Sequence, residues 1–476
     1  MIIVGTSTSK EGSMTQSEKE FASFRDPSGF LFYQDDVLYR QVNQAYRPHY
    51  DRLMESGLYQ ALIEQGLMVA HEAVEGISSP QPDLAYKVIR PEMVRFISYP
   101  YEWCFHELRS AALTTLRLAR LALEHGMILK DASAYNLQFV DGSWKLIDTL
   151  SFEIYEEGEP WVAYKQFCQH FLAPLALMAF KDLRLNLMSR LFIDGIPLDV
   201  ASKLLPFRTK LNLGLLTHIH LHARTQAKYA GKEVKREEVK GQISEKSLIG
   251  LLDSLRNTVK GLGVRVSGTE WADYYDATNY SETAFEEKKA LISRFVDQIQ
   301  PAAVWDLGAN NGEFSRIASD RGIFTVAFDI DPNAISKAYI QTRKDRETNL
   351  LPLVMDLTNP SPGLGWAHKE RQSLIDRGPV SMAFALALVH HLAISNNVPL
   401  PKLAQFFSEV CEHLVIEFVP KSDSQVKRLL TSRLDIFDDY TEAGFEAAFK
   451  TQFEILQKAP VPESERTLYL MKVKQS

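Results

Sequence analysis

The C-terminal half of the chain carries a glycine-rich turn between an apolar segment and a helix-like one. Residues 302–307 (AAVWDL) are apolar enough for a buried strand, and they lead straight into Gly308 and Gly312, with the helix-like residues 313–322 behind them. In a strand, a glycine turn and a helix in this order, the backbone can approach a ligand closely and helix N–H groups face it. The order therefore predicts a binding site.

Acidic residues end the next two strand candidates. Residues 324–331 reach Asp329, about twenty residues after the glycines, and residues 350–357 reach Asp356. A carboxylate offers two acceptor oxygens in one plane, so it can bind both hydroxyls of a ribose. Apolar strand bodies with polar ends are typical of an open parallel sheet that binds its ligand beyond the carboxyl edge.

The string from Asp306 to Gly312 reads DxGxxxG, whereas a nicotinamide dinucleotide fold prefers GxGxxG. Together with the downstream acids, it resembles motif I and the cofactor site of class I S-adenosylmethionine-dependent methyltransferases, over about residues 271–474. The resemblance implies an α/β, Rossmann-like domain with a mostly parallel seven-stranded sheet. Residues 453–460 and 466–473 suit the antiparallel pair that closes such a sheet.

The resemblance assigns cofactor-binding roles to residues at the strand ends. Asp306 and Gly308 would lie beside the methionine part, Asp329 would hold the ribose hydroxyls, and Asp356 would accept from the adenine amino group. The residues that follow the last two acids would contact the adenine. The full predicted set is Asp306, Gly308, Asn310, Gly312, Asp329, Ile330, Asp356 and Leu357.

Methyl transfer requires in-line placement of the acceptor and often a base that takes its proton. His390 and His391 follow the fourth strand candidate, so either is a candidate base. Glu417, near the end of the fifth strand candidate, is another. A core or capping histidine and a packed structural carboxylate are the alternatives. The aromatic residues before the first strand, Trp271, Tyr274, Tyr275 and Tyr280, either cover this site or belong to the core.

A second pattern lies in the N-terminal half. Asp131, Asn136 and Asp148 follow a long amphipathic segment and resemble the catalytic loop and metal-binding aspartate of kinase-like folds. The resemblance implies an α+β domain in which Asp131 is the base and the other two hold Mg²⁺ for ATP. The sequence departs from this pattern, because only Gly29 stands where a glycine-rich loop is expected and Asp148 is followed by Thr-Leu. Phosphotransfer is therefore not expected, and the domain would bind or present the acceptor.

Local patterns predict several elements. Residues 28–43 alternate around a turn-like Gln-Asp-Asp and predict a hairpin, and residues 107–125 predict a helix that stops at Gly126. Residues 85–90 and 93–99 are both β-type runs. The Gly-rich residues 261–270 mark a domain boundary. The predicted organisation is a flexible tail at 1–20, a kinase-like domain at 21–260 and a methyltransferase domain at 261–476.

The composition of the 476 residues excludes several classes of protein. A net charge of −7 and a pI near 6.0 argue against nucleic acid as the main partner. Three widely spaced cysteines fit a reducing compartment and suggest no metal site. The apolar residues 171–180 are too short to cross a membrane and predict a buried helix. No signal peptide is expected, which favours the cytoplasm.

The sequence thus predicts an S-adenosylmethionine-dependent methyltransferase that acts on a small molecule or a carrier-bound metabolite. Three alternatives remain: a bifunctional kinase and methyltransferase, a non-catalytic binding scaffold, and a nicotinamide oxidoreductase, which the DxGxxxG string disfavours.

Overall fold

The computed structural model describes residues 18–229, 243–265, 282–431 and 433–474. The chain divides into two compact units. The first is Met1–Arg265 with Leu364–Arg371, and the second is Val266–Gly363 with Gln372–Ser476. Most of the predicted tail, residues 1–17, lies outside the described residues, as does the predicted aromatic cluster at 271–280.

The described part of the first unit begins with a five-stranded sheet in the order β1-β2-β3-β5-β4, in which every neighbouring pair is antiparallel. Two further antiparallel pairs, β6 with β9 and β7 with β8, follow along the chain. The strands are β1 (Glu18–Lys19), β2 (Gly29–Gln34), β3 (Val37–Asn43), β4 (His71–Val74), β5 (Ala85–Pro91), β6 (Met127–Leu129), β7 (Leu137–Val140), β8 (Ser143–Leu146) and β9 (Phe152–Ile154).

Helices fill the rest of this unit. They are α1 (Arg47–Glu55), α2 (Leu58–Glu64), α3 (Phe105–Glu124), α4 (Tyr164–Phe167), α5 (Ala173–Phe180), α6 (Met188–Leu191), α7 (Leu198–Leu204), α8 (Leu213–Leu215), α9 (His222–Tyr229) and α10 (Glu245–Gly261). The predicted helix at 107–125 is α3, which is followed by Gly126 at φ 70°. The apolar residues 171–180 are buried or half-buried, as predicted. They form the end of a π-helical turn (Cys168–Leu172) and α5.

The predicted hairpin is β2 and β3, with Asp35 and Asp36 both at positive φ in the turn. The predicted strand at 93–99 is wrong, because these residues form no ladder. The Ser98 N–H donates to Oε1 of Gln138 instead, at 2.9 Å. The side chains of Val94 and Ile97 are buried, so the apolar pattern reports burial without a strand.

Seven strands of the described second unit form one sheet in the order β12-β11-β10-β13-β14-β16-β15. The first five are parallel to their neighbours, whereas β16 runs antiparallel to both β14 and β15. The strands are β10 (Ala303–Leu307), β11 (Phe324–Asp329), β12 (Leu350–Val354), β13 (Val380–Ala385), β14 (Cys411–Phe418), β15 (Phe453–Pro460) and β16 (Thr467–Val473). The predicted mostly parallel sheet and its closing pair are confirmed.

The helices of this unit are α11 (Glu282–Ile299), α12 (Ser315–Ser319), α13 (Pro332–Asp345), α14 (Leu400–Val410), α15 (Ser424–Thr431) and α16 (Glu442–Phe449). An apolar core joins α11 to the bodies of β10, β13 and β16, through side chains such as Phe295, Val304, Phe384 and Leu470. Because these parallel strands are buried along their length, their polar residues collect at the carboxyl edge. From β10 the chain adds β11 and β12 on one side of the sheet and then β13 and β14 on the other side. This change of side leaves a crevice at the carboxyl end of β10.

Candidate functional site

A cavity of about 300 Å³ opens at the carboxyl edge of this sheet, within the second unit. Among the predicted cofactor residues, those that line it are Asp306, Gly308, Asn310, Asp329, Ile330, Asp356 and Leu357. Gly312, at the end of the glycine turn, does not line it. The structure therefore brings together residues that are up to about fifty positions apart in sequence.

The glycine turn is held by its neighbour strand. The N–H groups of Gly308 and Ala309 both donate to the carbonyl oxygen of Phe328, each at 2.8 Å. Gly308 has φ 88°, and a Cβ on it would lie 3.4 Å from a methyl group of Leu388. A side chain there would be strained and would crowd the cavity, so glycine fits both requirements.

Asp329 joins the turn to the end of β11. One carboxylate oxygen accepts from the N–H of Asn310 and the other from the N–H of Asp331, both at 2.8 Å. Burial raises the pKa of Asp329 to about 6. The carboxylate is thus oriented by the backbone, and it lines the cavity.

Asp306 is the most deeply buried acid of the cavity wall. The hydroxyl of Ser315 donates to it at 2.6 Å, and burial raises its pKa to about 7. No ion pair joins Asp306 or Asp329 to a cationic side chain among the described residues. Two buried acids with raised pKa values make a wall that favours a cationic or hydrogen-bond-donating ligand.

Lys288 is a cavity residue that the sequence prediction missed. Its Nζ lies 2.7 Å from Oε2 of Glu417, and the same oxygen accepts from the N–H of Ala387 at 2.7 Å. Ala387 has φ 48°, an uncommon conformation for a residue with a side chain. Glu417 is buried behind the cavity wall, where it fixes Lys288 and the loop after β13. A lysine in the apolar stripe of α11, between Ala284 and Ile292, was the available signal.

The two histidines have different positions. His391 lines the cavity, whereas His390 is fully buried and does not. Their ring centroids are 4.1 Å apart. Burial, with Arg466 nearby, lowers the pKa of His391 to about 4, so its imidazole is neutral at neutral pH. Of the three predicted bases, only His391 has access to the cavity.

The three kinase-like residues lie together in the first unit. The carboxylate of Asp131 accepts from the side chain of Gln166 at 2.7 Å, and Nδ2 of Asn136 donates to the hydroxyl of Ser151 at 3.4 Å. Asp148 is paired with Arg40 of β3, with 2.5 Å between Oδ1 and Nη1. Burial alone would raise the pKa of Asp148, but Arg40 holds it below its ordinary value.

Within the residues described, no group of three or more histidine, cysteine, aspartate or glutamate side chains could hold a metal ion. No described helix is long and apolar enough to cross a membrane. All three cysteines fall in the described ranges, and each is buried and outside a disulfide.

The strand order, the glycine turn and the acid-lined cavity define a Rossmann-like unit of the class I methyltransferase type. No protein-family model matches the chain. The chain is 35% identical over 464 residues to the nodulation protein NoeA of Rhizobium meliloti (strain 1021), and the match covers 94% of each protein. The chain therefore belongs to the NoeA family.

The chain is less similar to proteins of solved structure. A crystal structure of WbdD matches 44% of this chain and 43% of its own, with 14% identity and a TM-score of 0.31. Magnesium protoporphyrin IX methyltransferase from Synechocystis PCC 6803 with bound SAH matches 42% of this chain and 91% of its own, at 13% identity and a TM-score of 0.30. A methyltransferase from Clostridium acetobutylicum matches 43% and 96%, at 14% identity and a TM-score of 0.31. The chain thus spans less than half the length of WbdD. TM-scores of this size support no inference about the residues of the site.

Proposed function

We propose that the chain is an S-adenosylmethionine-dependent methyltransferase whose cofactor lies in the cavity of the second unit. The observation that carries the proposal is the Asp329 carboxylate, which lines the cavity while backbone N–H groups hold both of its oxygens. This orientation suits a pair of ribose hydroxyls, because each oxygen keeps a second lone pair for a ligand donor.

The other residues of the cavity wall fit the same cofactor. Asp306, buried and with a raised pKa, forms no ion pair among the described residues, so a cationic amino group of the cofactor would give it a counter-charge in direct contact. Ile330 and Leu357 offer apolar contacts on the wall that carries Asp356, as an adenine requires. The cofactor supplies a methyl group on a sulfonium centre, and the protein supplies orientation and exclusion of water.

His391 is the proposed base. Its neutral imidazole lines the cavity, so it can take a proton from an acceptor hydroxyl or amine as the methyl group is transferred. His390 and Glu417 are proposed as positioning residues, because both are buried away from the cavity. Glu417 acts through Lys288 and the Ala387 backbone.

The proposed acceptor is a small molecule or a carrier-bound metabolite, and the proposed location is the cytoplasm. The acidic net charge supports an acceptor other than nucleic acid. Three buried cysteines that form no disulfide support a reducing compartment. The name of the NoeA relative refers to nodulation and to no acceptor.

The first unit is proposed as a kinase-like scaffold of non-catalytic role. The observation that favours this over a bifunctional enzyme is the Arg40–Asp148 pair, because a guanidinium already neutralises the carboxylate that Mg²⁺ would need. Burial of Asp131 beside Asp148 raises the pKa of Asp131. ATP with Mg²⁺ is therefore not assigned as a cofactor of the native chain.

The test is transfer of a labelled methyl group from S-adenosylmethionine into a low-molecular-weight extract. We expect label in a discrete product with the native chain. With His391→Ala the rate should fall by about 10²- to 10⁴-fold while cofactor affinity is retained. No labelled product, together with no affinity for S-adenosylmethionine, would contradict the proposed function.

A further inference from the structure

One side of the cavity is left unused by the residues assigned to the cofactor. The assigned acids lie at the ends of β10, β11 and β12, whereas other lining residues follow β13 and β14. Because β13 and β14 lie across β10 from β11 and β12, these residues form the opposite side of the cavity, which we call the β13 side. Its members are Leu386, Ala387, Leu388, His391, Leu392, Ser395, Asn396 and Leu429.

Ser395 carries a buried hydroxyl on the β13 side. Its Oγ has no hydrogen-bond partner among the residues that the structure describes. A buried hydroxyl without a partner retains its desolvation penalty, and such groups are uncommon in native proteins. Because Ser395 lines the cavity, a ligand there can offer the polar group that its surroundings lack.

His391 and Ser395 belong to one π-helical turn, His391–Ser395. The N–H of Asn396 closes the turn by donating to the carbonyl oxygen of His391, five positions back, at 3.2 Å. A turn closed over five positions brings residues four apart nearly into line, and such turns are frequent at functional sites. The proposed base and the Ser395 side chain therefore meet the same part of the cavity.

Two other side chains hold this turn in place. Nδ2 of Asn396 donates to the carbonyl oxygen of His391 at 2.9 Å. Nη2 of Arg433 donates to the carbonyl oxygen of Ser395 at 3.3 Å, and its Nη1 donates to that of Ile394. The backbone of the turn is thus fixed without the Ser395 hydroxyl.

The β13 side is uncharged. Its described lining residues include no acid, lysine or arginine, and His391 is neutral at neutral pH. The lysine that lines the cavity, Lys288, is paired with Glu417. An anionic acceptor would therefore lie on this side without a cation, and an ammonium group without a carboxylate, and each would retain a desolvation penalty.

The proposed base restricts the acceptor further. Carboxylates and phosphates are ionised at neutral pH, so they hold no proton for a base to take. A hydroxyl group holds its proton and carries no charge, so it fits both the base and the uncharged wall.

We propose that Ser395 binds the methyl acceptor beside His391, and that the accepting group is an uncharged hydroxyl. The inference rests on the proposed function. The acceptor oxygen bonds to the methyl carbon, the bond from that carbon to sulfur breaks with its electron pair left on sulfur, and the hydroxyl proton passes to His391. Ser395 hydrogen-bonds a polar group next to the reacting hydroxyl, so it acts in binding and not in proton transfer.

Methyl transfer into a dilution series of low-molecular-weight extract tests the role of Ser395. Ser395→Ala should raise the half-saturating extract concentration by about three- to tenfold, the effect of one hydrogen bond, and leave the maximal rate unchanged. Ser408→Ala, on α14 and outside the cavity lining, is the matched control and should behave as the native chain does. An unchanged half-saturating concentration in Ser395→Ala would overturn the proposal. Absence of S-adenosylmethionine binding in calorimetry would instead refute the proposed function.

The chemistry of the labelled product tests the class of acceptor. A methyl ether keeps its label in mild alkali, whereas a carboxyl methyl ester releases it. Treating the extract with phosphatase removes phosphate monoester acceptors, and acetylating it in water blocks amines and spares hydroxyls. We expect labelling to persist in all three experiments. Loss of the label in any of them would overturn the assignment of an uncharged hydroxyl.

Urea denaturation of the ligand-free chain tests Ser395 without any acceptor. Because its hydroxyl has no partner among the described residues, Ser395→Ala should unfold at the native midpoint or above it. A lower midpoint would show that the hydroxyl serves the fold, and it would overturn the proposal.

Discussion

Both units carry buried carboxylates near strand ends, but the two sets differ in how their charge is balanced. Among the described residues of the second unit, Asp306 and Asp329 accept hydrogen bonds only from backbone N–H and hydroxyl groups, and burial raises their pKa values to about 7 and about 6. In the first unit, Asp148 is paired with Arg40 and its pKa lies below the ordinary value.

This difference in charge balance indicates which of the two sets of carboxylates would gain from a bound ligand. A buried acid without a cationic partner retains a desolvation penalty that a bound cation or donor can relieve. A carboxylate already paired with a guanidinium has little to gain from a further cation. The same residue type at similar positions therefore indicates a binding site in one unit and a structural ion pair in the other.

The largest expected effect comes from breaking the ion pair behind the cavity. Glu417→Ala leaves Lys288 buried without its counter-charge, so the free energy of unfolding should fall by about 3–5 kcal/mol. Urea denaturation followed by tryptophan fluorescence measures this. Glu409→Ala, at an exposed position of α14, is the control and should change stability by less than about 0.5 kcal/mol. A small loss in Glu417→Ala would mean that Lys288 does not need this partner.

Matched substitutions test the contrast directly. Asp306→Asn should weaken S-adenosylmethionine binding by about 10- to 100-fold, since a hydrogen bond to a charged group contributes about 1.5–3 kcal/mol. Asp148→Asn removes the closer of the two carboxylates that pair with Arg40, the other being Asp26, so it should lower stability without changing that affinity. Calorimetry and urea denaturation of both variants measure the two effects. The contrast fails if both variants lose affinity equally, or if Asp148→Asn is as stable as the native chain.

The pH dependence of stability tests the same contrast without a substitution. The pKa values of Asp306 and Asp329 lie above the ordinary 3.8, so the folded chain holds these protons more tightly than the unfolded chain. Between about pH 4 and about pH 7 these two groups therefore make ligand-free stability fall as the pH rises. Asp148 has the opposite sign, because its lowered pKa contributes stability that is lost as the pH falls.

Urea midpoints at about pH 5 and about pH 7 measure this dependence. The change between them should be smaller in Asp306→Asn than in the native chain, because one of the two groups no longer titrates. An identical change in both chains would show that Asp306 does not titrate in this window.

Much of the cavity wall could be predicted because its signals are local. The string from Asp306 to Gly312 and the acid that ends β11 lie within one strand–turn–helix–strand unit, where the order of residues fixes their side of the sheet. The hairpin of β2 and β3 was predictable for the same reason. The site assignments themselves remain predictions until ligand binding is measured.

Long-range pairs could not be predicted. Lys288 and Glu417 are 129 positions apart, and Arg25 and Glu370 are 345 apart. Such partners leave no periodic signal, because the spacing along the chain does not determine which distant charges meet. The run at 93–99 shows a related limit: burial alone produced a strand-like pattern in a segment whose Ser98 N–H bonds to a glutamine side chain.

The central claim is that Asp329 holds the cofactor of a methyltransferase. Titration calorimetry of the full-length chain with S-adenosylmethionine, with Asp329→Ala and the exposed Asp320→Ala as matched variants, tests it most directly. We expect binding by the native chain and by Asp320→Ala, and a loss of at least about 100-fold in Asp329→Ala, about 2.7 kcal/mol. Native affinity in a folded Asp329→Ala chain, or no binding by the native chain, would contradict the claim.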